Sequence, residues 1–266
     1  MPRSVSCSLQ ADITGAADVV LSVARASGLP IAAESLGVTL DGVPVAVREV
    51  ADDHGTRLHC VDGLTTGCFE VEYRATVSGN APPPAVSEIE LIRYARPSRY
   101  CESDRLTAIA HDDFRGLTGL SLLESISSWV GQRVAYIAGS SRPTDGAVAT
   151  LLARQGVCRD FAHLVVALLR GCDVPARLVS VYAPGLQPMD FHAVAEAFID
   201  GEWLVADATC LAPRATMLRI ATGRDAADTA FLTVIGESIE LTGLEVTAIT
   251  EGALPDDDIT QPVQLS

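Results

Sequence analysis

A cysteine, a histidine and an aspartate occur in this sequence in settings that could support nucleophilic catalysis. Cys158 lies near the start of the stretch Gly156–Leu169, in which apolar residues recur at the spacing of one helix face. A helix N-terminus carries partial positive charge and free N–H groups, so it favours a thiolate, and Arg159 adds a positive charge. The stretch predicts a helix with a reactive thiol in its first turn, although a small core residue is the alternative for any cysteine.

His192 and Asp207 belong to a predicted β-hairpin. Strands are predicted over Phe191–Ile199 and Glu202–Ala208, and the dipeptide Asp200-Gly201 between them suits a two-residue turn. In the register that this turn imposes, His192 and Asp207 share a sheet face as diagonal neighbours, roughly 7–8 Å apart by backbone. The carboxylate could accept the imidazole Nδ1–H and orient the ring as a general base.

Other residues are weaker candidates for the nucleophile and for the carboxylate that orients the imidazole. Asp190 precedes His192 by two residues and is an alternative orienter if the strand starts early. Glu196 shares the face of His192 but lies roughly 13 Å along the strand. Cys172 falls at a helix end, where the helix dipole disfavours a thiolate. Cys158, His192 and Asp207 therefore form the predicted catalytic set.

Composition excludes several classes of function. The 266 residues carry 19 basic and 34 acidic side chains, a net charge of −15, and every basic residue is arginine. This balance argues against nucleic acid or an anionic membrane as partner, because both attract basic patches. No apolar run suits a signal peptide or a membrane span. The seven cysteines show no metal-ligand spacing, so we expect reduced thiols, no metal, no cofactor and a cytoplasmic location.

The patterns of apolar residues predict an α+β protein with a β-rich N-terminal part. Residues 1–80 alternate apolar and polar positions in short runs, which is typical of a β-sandwich-like domain. Residues 81–95, with three consecutive prolines, are predicted as a linker with a connecting strand. Residues 96–250 are predicted as the catalytic domain and 251–266 as a solvated tail. Helices are expected over 103–110, over about 120–134, after Thr144, from Cys158 to Gly171 and before Arg224, with a strand at 176–182.

Three stretches resemble the bacterial branch of the transglutaminase-like superfamily of papain-like thiol enzymes. They are GVCRDFAHL (156–164), VYAPGLQPMDFHAVAEAF (181–198) and WLVADAT (203–209), and Arg96–Cys101 resembles the segment that leads into that catalytic domain. The resemblance implies a papain-like transglutaminase core in which a cysteine-bearing helix packs on an antiparallel sheet. It also implies Cys158 as nucleophile, His192 as base and Asp207 as orienting residue.

The expected function is a cysteine-dependent acyl transfer on a peptide or protein amide, through a thioester intermediate. Hydrolysis is favoured over protein-glutamine transamidation, because nothing in the chain beyond its acidity resembles a device for capturing lysine. A non-catalytic binding module on the same fold is the other alternative. The backbone N–H of Cys158 is one expected oxyanion donor, and the sequence leaves Gln155, Gln132 and Tyr136 open as the side-chain partner.

Overall fold

The N-terminal part is a pair of packed antiparallel sheets, as the alternating pattern predicts. The computed structural model describes residues 2–79 and 85–265. Along the first strand, Val5, Cys7, Leu9, Ala11 and Ile13 are buried while the residues between them are more exposed, because successive side chains point to opposite faces. The N-terminal strands are β1 (Arg3–Ile13), β2 (Ala17–Leu21), β3 (Ile31–Leu40), β4 (Val43–Pro44), β5 (Arg48–Ala51), β6 (Arg57–Leu64) and β7 (Gly67–Val77).

A helical layer follows the N-terminal sheets. The helices expected over 103–110, over about 120–134, after Thr144 and over 158–171 are all present. Their ends differ by a few residues, which is normal for boundaries read from patterns. Leu152 is 79% exposed because the short fourth helix buries its opposite side, with Ala147 and Thr150. The helices are α1 (Glu88–Tyr94), α2 (Ser103–Asp113), α3 (Gly119–Arg133), α4 (Ala147–Ala153), α5 (Cys158–Gly171) and α6 (Ala226–Thr229).

A third antiparallel sheet, the core sheet, carries the predicted hairpin. Its strand order is β12-β11-β10-β13, and α5 packs against it through Ala195 and Ala197. Ile199 pairs with Glu202, which is the predicted register, and both turn residues have positive φ, 52° at Asp200 and 91° at Gly201. The remaining strands are β8 (Ala135–Tyr136), β9 (Gln155–Gly156), β10 (Ala176–Tyr182), β11 (Phe191–Ile199), β12 (Glu202–Ala206), β13 (Leu218–Gly223), β14 (Leu232–Gly236) and β15 (Ile239–Thr250).

The connection between the two parts contains a helix where the sequence predicted a strand. Part of the predicted linker, Ala81–Pro84, lies outside the described residues, but α1 occupies most of the rest. The side chain of Ser87 accepts a hydrogen bond from the backbone N–H of Glu90 at 3.3 Å, and Glu88 and Glu90 favour the first turn. The expectation of a connecting strand is wrong. The N-cap at Ser87 and the acidic first turn favour a helix in this segment.

The C-terminal strands return to the N-terminal sheets. β15 pairs along the whole of β1, and β14 pairs with β2. Residues 232–250 were assigned from the sequence to the catalytic domain, whereas their hydrogen bonds join them to the N-terminal sandwich. Pairing with β15 satisfies the backbone groups of β1 on the side away from β7, which an edge strand would leave unpaired. The predicted division into domains otherwise remains a prediction.

Two other segments differ from their predicted conformations. The residues before Arg224 form strand β13, and not a helix, because they pair with β10. The predicted solvated tail is anchored at two points within its described part. Asp257 accepts from the buried Arg214 guanidinium at 3.0 Å, and the backbone N–H of Val205 donates to the Val263 carbonyl at 2.8 Å. Among the described residues, no helix has both the length and the apolar character that crossing a membrane requires.

Candidate active site

The first turn of α5 holds Cys158 at its predicted place. Val157 precedes the helix in an extended conformation, and its backbone N–H donates to the Asp160 carboxylate at 2.8 Å. The Ser141 hydroxyl donates to the other oxygen of Asp160 at 2.9 Å, and Arg159 donates to Ser141 at 2.6 Å. Asp160 is 1% exposed, so this cluster fixes the helix start and the loop beside it. Cys158 is half-buried at the N-terminus of a mostly buried helix.

His192 and Asp207 are joined by a hydrogen bond, as the hairpin register predicts. The His192 Nε2 and an Asp207 carboxylate oxygen are 2.8 Å apart, and both side chains are buried. The expectation that Nδ1 would be the donor is wrong. The diagonal spacing across two strands is long, so the ring spans it with Nε2, the nitrogen farther from the backbone. Nδ1 is buried without a hydrogen-bond partner among the described residues, which leaves it available to Cys158.

The charged forms of His192 and Asp207 stabilise each other. Burial disfavours the imidazolium, but Asp207, through its charge and its hydrogen bond, and the adjacent Cys158 together raise the pKa of His192 to about 10. Burial likewise disfavours the Asp207 carboxylate, but His192 and Thr209 hold its pKa below the usual range. The Thr209 backbone N–H and hydroxyl both donate to Asp207, at 2.9 and 2.6 Å. The arrangement therefore favours an ion pair of imidazolium and carboxylate.

Of the predicted oxyanion donors, Tyr136 is the one that interacts with Cys158. The short strands β8 and β9 are parallel neighbours, and Tyr136 pairs with Gly156, two residues before Cys158. Burial raises the pKa of Tyr136 to about 12, with the charge of Cys158 as the second cause, and the Tyr136 hydroxyl interacts with both the backbone and the side chain of Cys158. Gln155 and Gln132 are exposed.

Asp190 lies at the rim of the cavity beside Cys158 and does not orient His192. Its carboxylate accepts from the backbone N–H of Phe191 at 2.7 Å, where it precedes β11. Glu196, the other carboxylate considered from the sequence, forms a buried ion pair with Arg177 and Arg219. Within residues 2–79 and 85–265, no group of three or more histidine, cysteine, aspartate or glutamate side chains is arranged to hold a metal ion.

Sequence reasoning missed the residues that support the predicted set. Asp160 stands three residues after Val157, the position from which a carboxylate caps a helix start, so this signal was available. Ser141 is far from Asp160 in sequence and carries no comparable local signal. The sequence analysis also did not predict the hydrogen bonds from Thr209 to Asp207, although Thr209 follows Asp207 by two residues in the common geometry of an Asx turn.

Known proteins resemble the chain both in sequence and in structure. A candidate cysteine protease from Cytophaga hutchinsonii has a solved structure with a TM-score of 0.88 and 32% identity, covering 97% of this chain and 94% of that one. An uncharacterized protein of Mycobacterium leprae is 29% identical over 129 residues, and one of Mycobacterium tuberculosis is 38% identical over 63 residues. These matches cover 44% and 24% of this chain, and only 45% and 20% of the mycobacterial proteins.

A sequence model of the transglutaminase-like superfamily matches residues 108–208, a range that contains Cys158, His192 and Asp207. The Cytophaga structure extends the similarity over almost the whole chain, including the N-terminal sheets. The mixed α+β fold with its antiparallel sheet under α5 agrees with both findings. The chain belongs to the transglutaminase-like superfamily.

Proposed function

We propose that this protein is a cysteine-dependent hydrolase that cleaves an amide bond in a peptide or protein. The observation that carries the proposal is the buried imidazole of His192, which is hydrogen-bonded through Nε2 to Asp207 and has Nδ1 available to Cys158. The unpaired Nδ1 does not carry the proposal by itself, because His59 and His163 also have a buried Nδ1 without a partner among the described residues. His192 differs from them because Cys158 lies beside it and both residues line one cavity. An imidazole that is hydrogen-bonded to a carboxylate through one nitrogen and has the other nitrogen free beside a thiol can act as a general acid and base.

In the first step, the Cys158 sulfur attacks the carbonyl carbon of the amide and a C–S bond forms. The imidazolium of His192 donates its Nδ1 proton to the amine nitrogen as the C–N bond breaks, leaving a thioester on Cys158. Asp207 keeps the ring oriented and stabilises its positive charge. In the second step, His192 removes a proton from water, and the hydroxide attacks the thioester. The acid is released and the thiolate returns.

The charge on the carbonyl oxygen needs donors during both steps. The backbone N–H of Cys158 is at the start of α5, where it is not used by the helix itself. The hydroxyl of Tyr136 interacts with Cys158 from the neighbouring β8 strand. We assign these two groups as the oxyanion donors, and removal of such a donor typically lowers turnover about 100- to 1,000-fold.

The first experiment asks whether Cys158 is the reactive thiol. Iodoacetamide at neutral pH should alkylate Cys158 faster than Cys68 and Cys210, which are more exposed and serve as internal controls in peptide mapping by mass spectrometry. The His192→Ala variant should lose most of this preference, because the imidazolium no longer stabilises the thiolate. Equal alkylation of the three cysteines in the wild type would favour a binding module over an enzyme.

The second experiment asks whether water or an amine completes the reaction. p-Nitrophenyl acetate would acetylate Cys158 and release nitrophenolate, and millimolar methylamine would compete with water for the thioester. We expect acetate as the main product, with Cys158→Ala as the inactive control. N-methylacetamide as the main product at low amine concentration would instead support a transamidase.

We place the protein in a reducing compartment, the cytoplasm. All seven cysteines are free thiols, and they are spread over the sandwich, the helical layer and the core sheet without pairing. Such free thiols are typical of cytoplasmic proteins, in which reductants keep disulfides open. The acidic surface fits a peptide or protein substrate and not nucleic acid.

A further inference from the structure

A cavity of about 390 Å³ lies beside Cys158 and His192. Its walls are mainly apolar, with Leu178 and Ile220 buried at 1% exposure. The rings of Phe191 and Phe231 line the cavity together, and their centroids are 5.3 Å apart in a stacked arrangement. Ligand pockets have this size and this mixture of apolar lining with a few polar groups.

The N-terminal sandwich and its returning strands complete this cavity. Ser22 directly follows β2, and its backbone N–H donates to the Phe231 carbonyl at 3.0 Å. Phe231 directly precedes β14, which pairs with β2. Part of the cavity wall is therefore built by the sandwich, and another part by α5 and the core sheet.

Two hydroxyls in the cavity wall have no partner among the described residues. They are the Oγ atoms of Ser22 and Ser180, and both atoms are buried. Ser22 is 2% exposed and belongs to the sandwich, whereas Ser180 lies on β10 of the core sheet. A buried hydroxyl without a partner is costly, and a serine side chain can turn about its Cα–Cβ bond. A polar group bound in this cavity would therefore offer both hydroxyls the hydrogen bond that they lack.

The charged residues at the cavity give no reason to expect an ionic ligand group. Arg159 and Asp190 both line it, and their opposite charges give no net preference for an anion or a cation. The two phenyl rings favour a planar apolar group, since aromatic rings gain from stacked and edge contacts beyond the burial of area. A neutral aromatic side chain with a terminal hydroxyl meets all three requirements.

We propose that this cavity binds the substrate residue next to the scissile amide and selects tyrosine, with the ring against Phe191 and Phe231 and the hydroxyl at Ser22 and Ser180. The proposal rests on the proposed function, because it takes Cys158 as the attacking group. It also gives the N-terminal sandwich a role, since Ser22 and Phe231 come from that side.

The test compares three affinity labels, the chloromethyl ketones of N-acetylated tyrosine, phenylalanine and alanine. In each reaction the Cys158 sulfur forms a C–S bond to the methylene carbon and chloride leaves. Every rate is divided by the rate of Cys158 alkylation by iodoacetamide in the same protein. We expect tyrosine to react about tenfold faster than phenylalanine, and phenylalanine about tenfold faster than alanine.

Two pairs of variants assign the selectivity to the cavity. Ser22→Ala should remove most of the tyrosine-over-phenylalanine preference, with Ser127→Ala as the control, a buried serine outside the cavity. Phe231→Ala should remove most of the phenylalanine-over-alanine preference. Phe198→Ala is the control, because Phe198 is a half-buried ring on β11 that does not line the cavity. The two control variants should keep the wild-type order.

The outcomes separate the two proposals. Selective alkylation of Cys158 by iodoacetamide together with equal rates for the three labels overturns the pocket and leaves the enzyme. An unchanged order of rates in Ser22→Ala and Phe231→Ala also overturns it. If iodoacetamide shows no preference for Cys158, the proposed function fails and the pocket proposal fails with it.

Discussion

At the scale of single residues, the pKa values of three histidines with little solvent exposure differ because their surroundings differ. His192 has the Asp207 carboxylate as its partner. His54 is half-buried near Arg177, and its desolvation followed by that charge lowers its pKa to about 4. His163, inside α5, accepts from the Ala226 backbone N–H at 3.1 Å, and burial lowers its pKa to about 3. The pKa of such an imidazole rises only where neighbouring anionic groups outweigh desolvation, as Asp207 and Cys158 do at His192.

We therefore predict that His192 is protonated at pH 8 whereas His54 and His163 are neutral at pH 5.5. The chain has five histidines, so ¹³C-histidine NMR can follow each ring after assignment by substitution. Asp207→Asn should lower the pKa of His192, because the charge that opposes the desolvation is lost. An unchanged His192 titration in Asp207→Asn would contradict the assigned electrostatics.

The raised pKa of His192 makes the free energy of unfolding depend on pH. The folded pKa of His192, about 10, lies above its ordinary value of 6.5, so the imidazolium stabilises the folded protein fully below about pH 6.5. This contribution is lost as the pH rises through about 10. The unfolding free energy, measured as a function of pH, should fall as the pH approaches 10 in the wild type. The decrease should be smaller in His192→Gln, which lacks the titrating ring.

At the scale of elements, the hairpin turn sets the pairing that brings His192 to Asp207. Asp200 and Gly201 both have positive φ, which matches the twist of the two strands. Gly201→Val should destabilise the protein by about 1–3 kcal/mol, because a β-branched residue is strained at φ 91°. Chemical denaturation measures this, and Gly201→Asn should cost less, since asparagine tolerates positive φ. Equal losses in both variants would contradict the argument from the turn.

The core sheet also contains a buried cluster of charges. Glu196 is 1% exposed and contacts Arg177 at 2.7 Å and Arg219 at 2.6 Å. Burial opposes its ionisation, but Arg219 and Arg177 lower the pKa of Glu196 to about 2. Its contribution to stability is therefore complete above the ordinary pKa of about 4.5 and is lost as the pH falls through about 2.

Glu196→Gln should destabilise the protein by about 3–5 kcal/mol, because two buried guanidinium groups lose their shared counter-charge. Urea denaturation at pH 7 measures the change. Asp112→Asn is the matched control, since the ion pair of Asp112 with Arg115 is about 80% exposed and should contribute less than about 1 kcal/mol. Similar effects of the two substitutions would show that burial does not set the strength of the cluster.

At the scale of the whole molecule, the sandwich and the core sheet share one apolar cluster. Tyr182, Leu218 and Ile220 of the core sheet pack among the buried residues of the sandwich. Hydrogen bonds cross the same boundary, from the Tyr182 hydroxyl to the Val23 carbonyl at 2.8 Å and from the Ala26 N–H to the Arg219 carbonyl at 2.8 Å. A boundary of this kind should couple the stability of the two parts.

We predict that the two parts unfold together. Cys7 in the sandwich and Cys101 beside the helical layer are buried, and burial raises the pKa of both thiols, to about 11 and about 12. In a pulse-labelling experiment at increasing urea concentration, both should become reactive with the same midpoint. A lower midpoint for either cysteine would show that the part containing it opens on its own.

The sequence alone determined the local features of this protein. The apolar spacing defined α5 with Cys158 at its start, and the Asp200-Gly201 turn defined the register that places His192 beside Asp207. Both are set by interactions between residues close along the chain, and such patterns are visible in one sequence. The β-rich character of the first 80 residues has the same origin.

Only the tertiary structure decided which distant segments meet. The pairing of β15 with β1, the approach of Tyr136 to Cys158 and the wall that Ser22 and Phe231 form depend on contacts across long stretches of chain. Many strands of similar pattern could pair with β1, so local spacing does not select one of them. The choice of Nε2 in His192 has the same cause, because the ring orientation depends on packing from several elements at once.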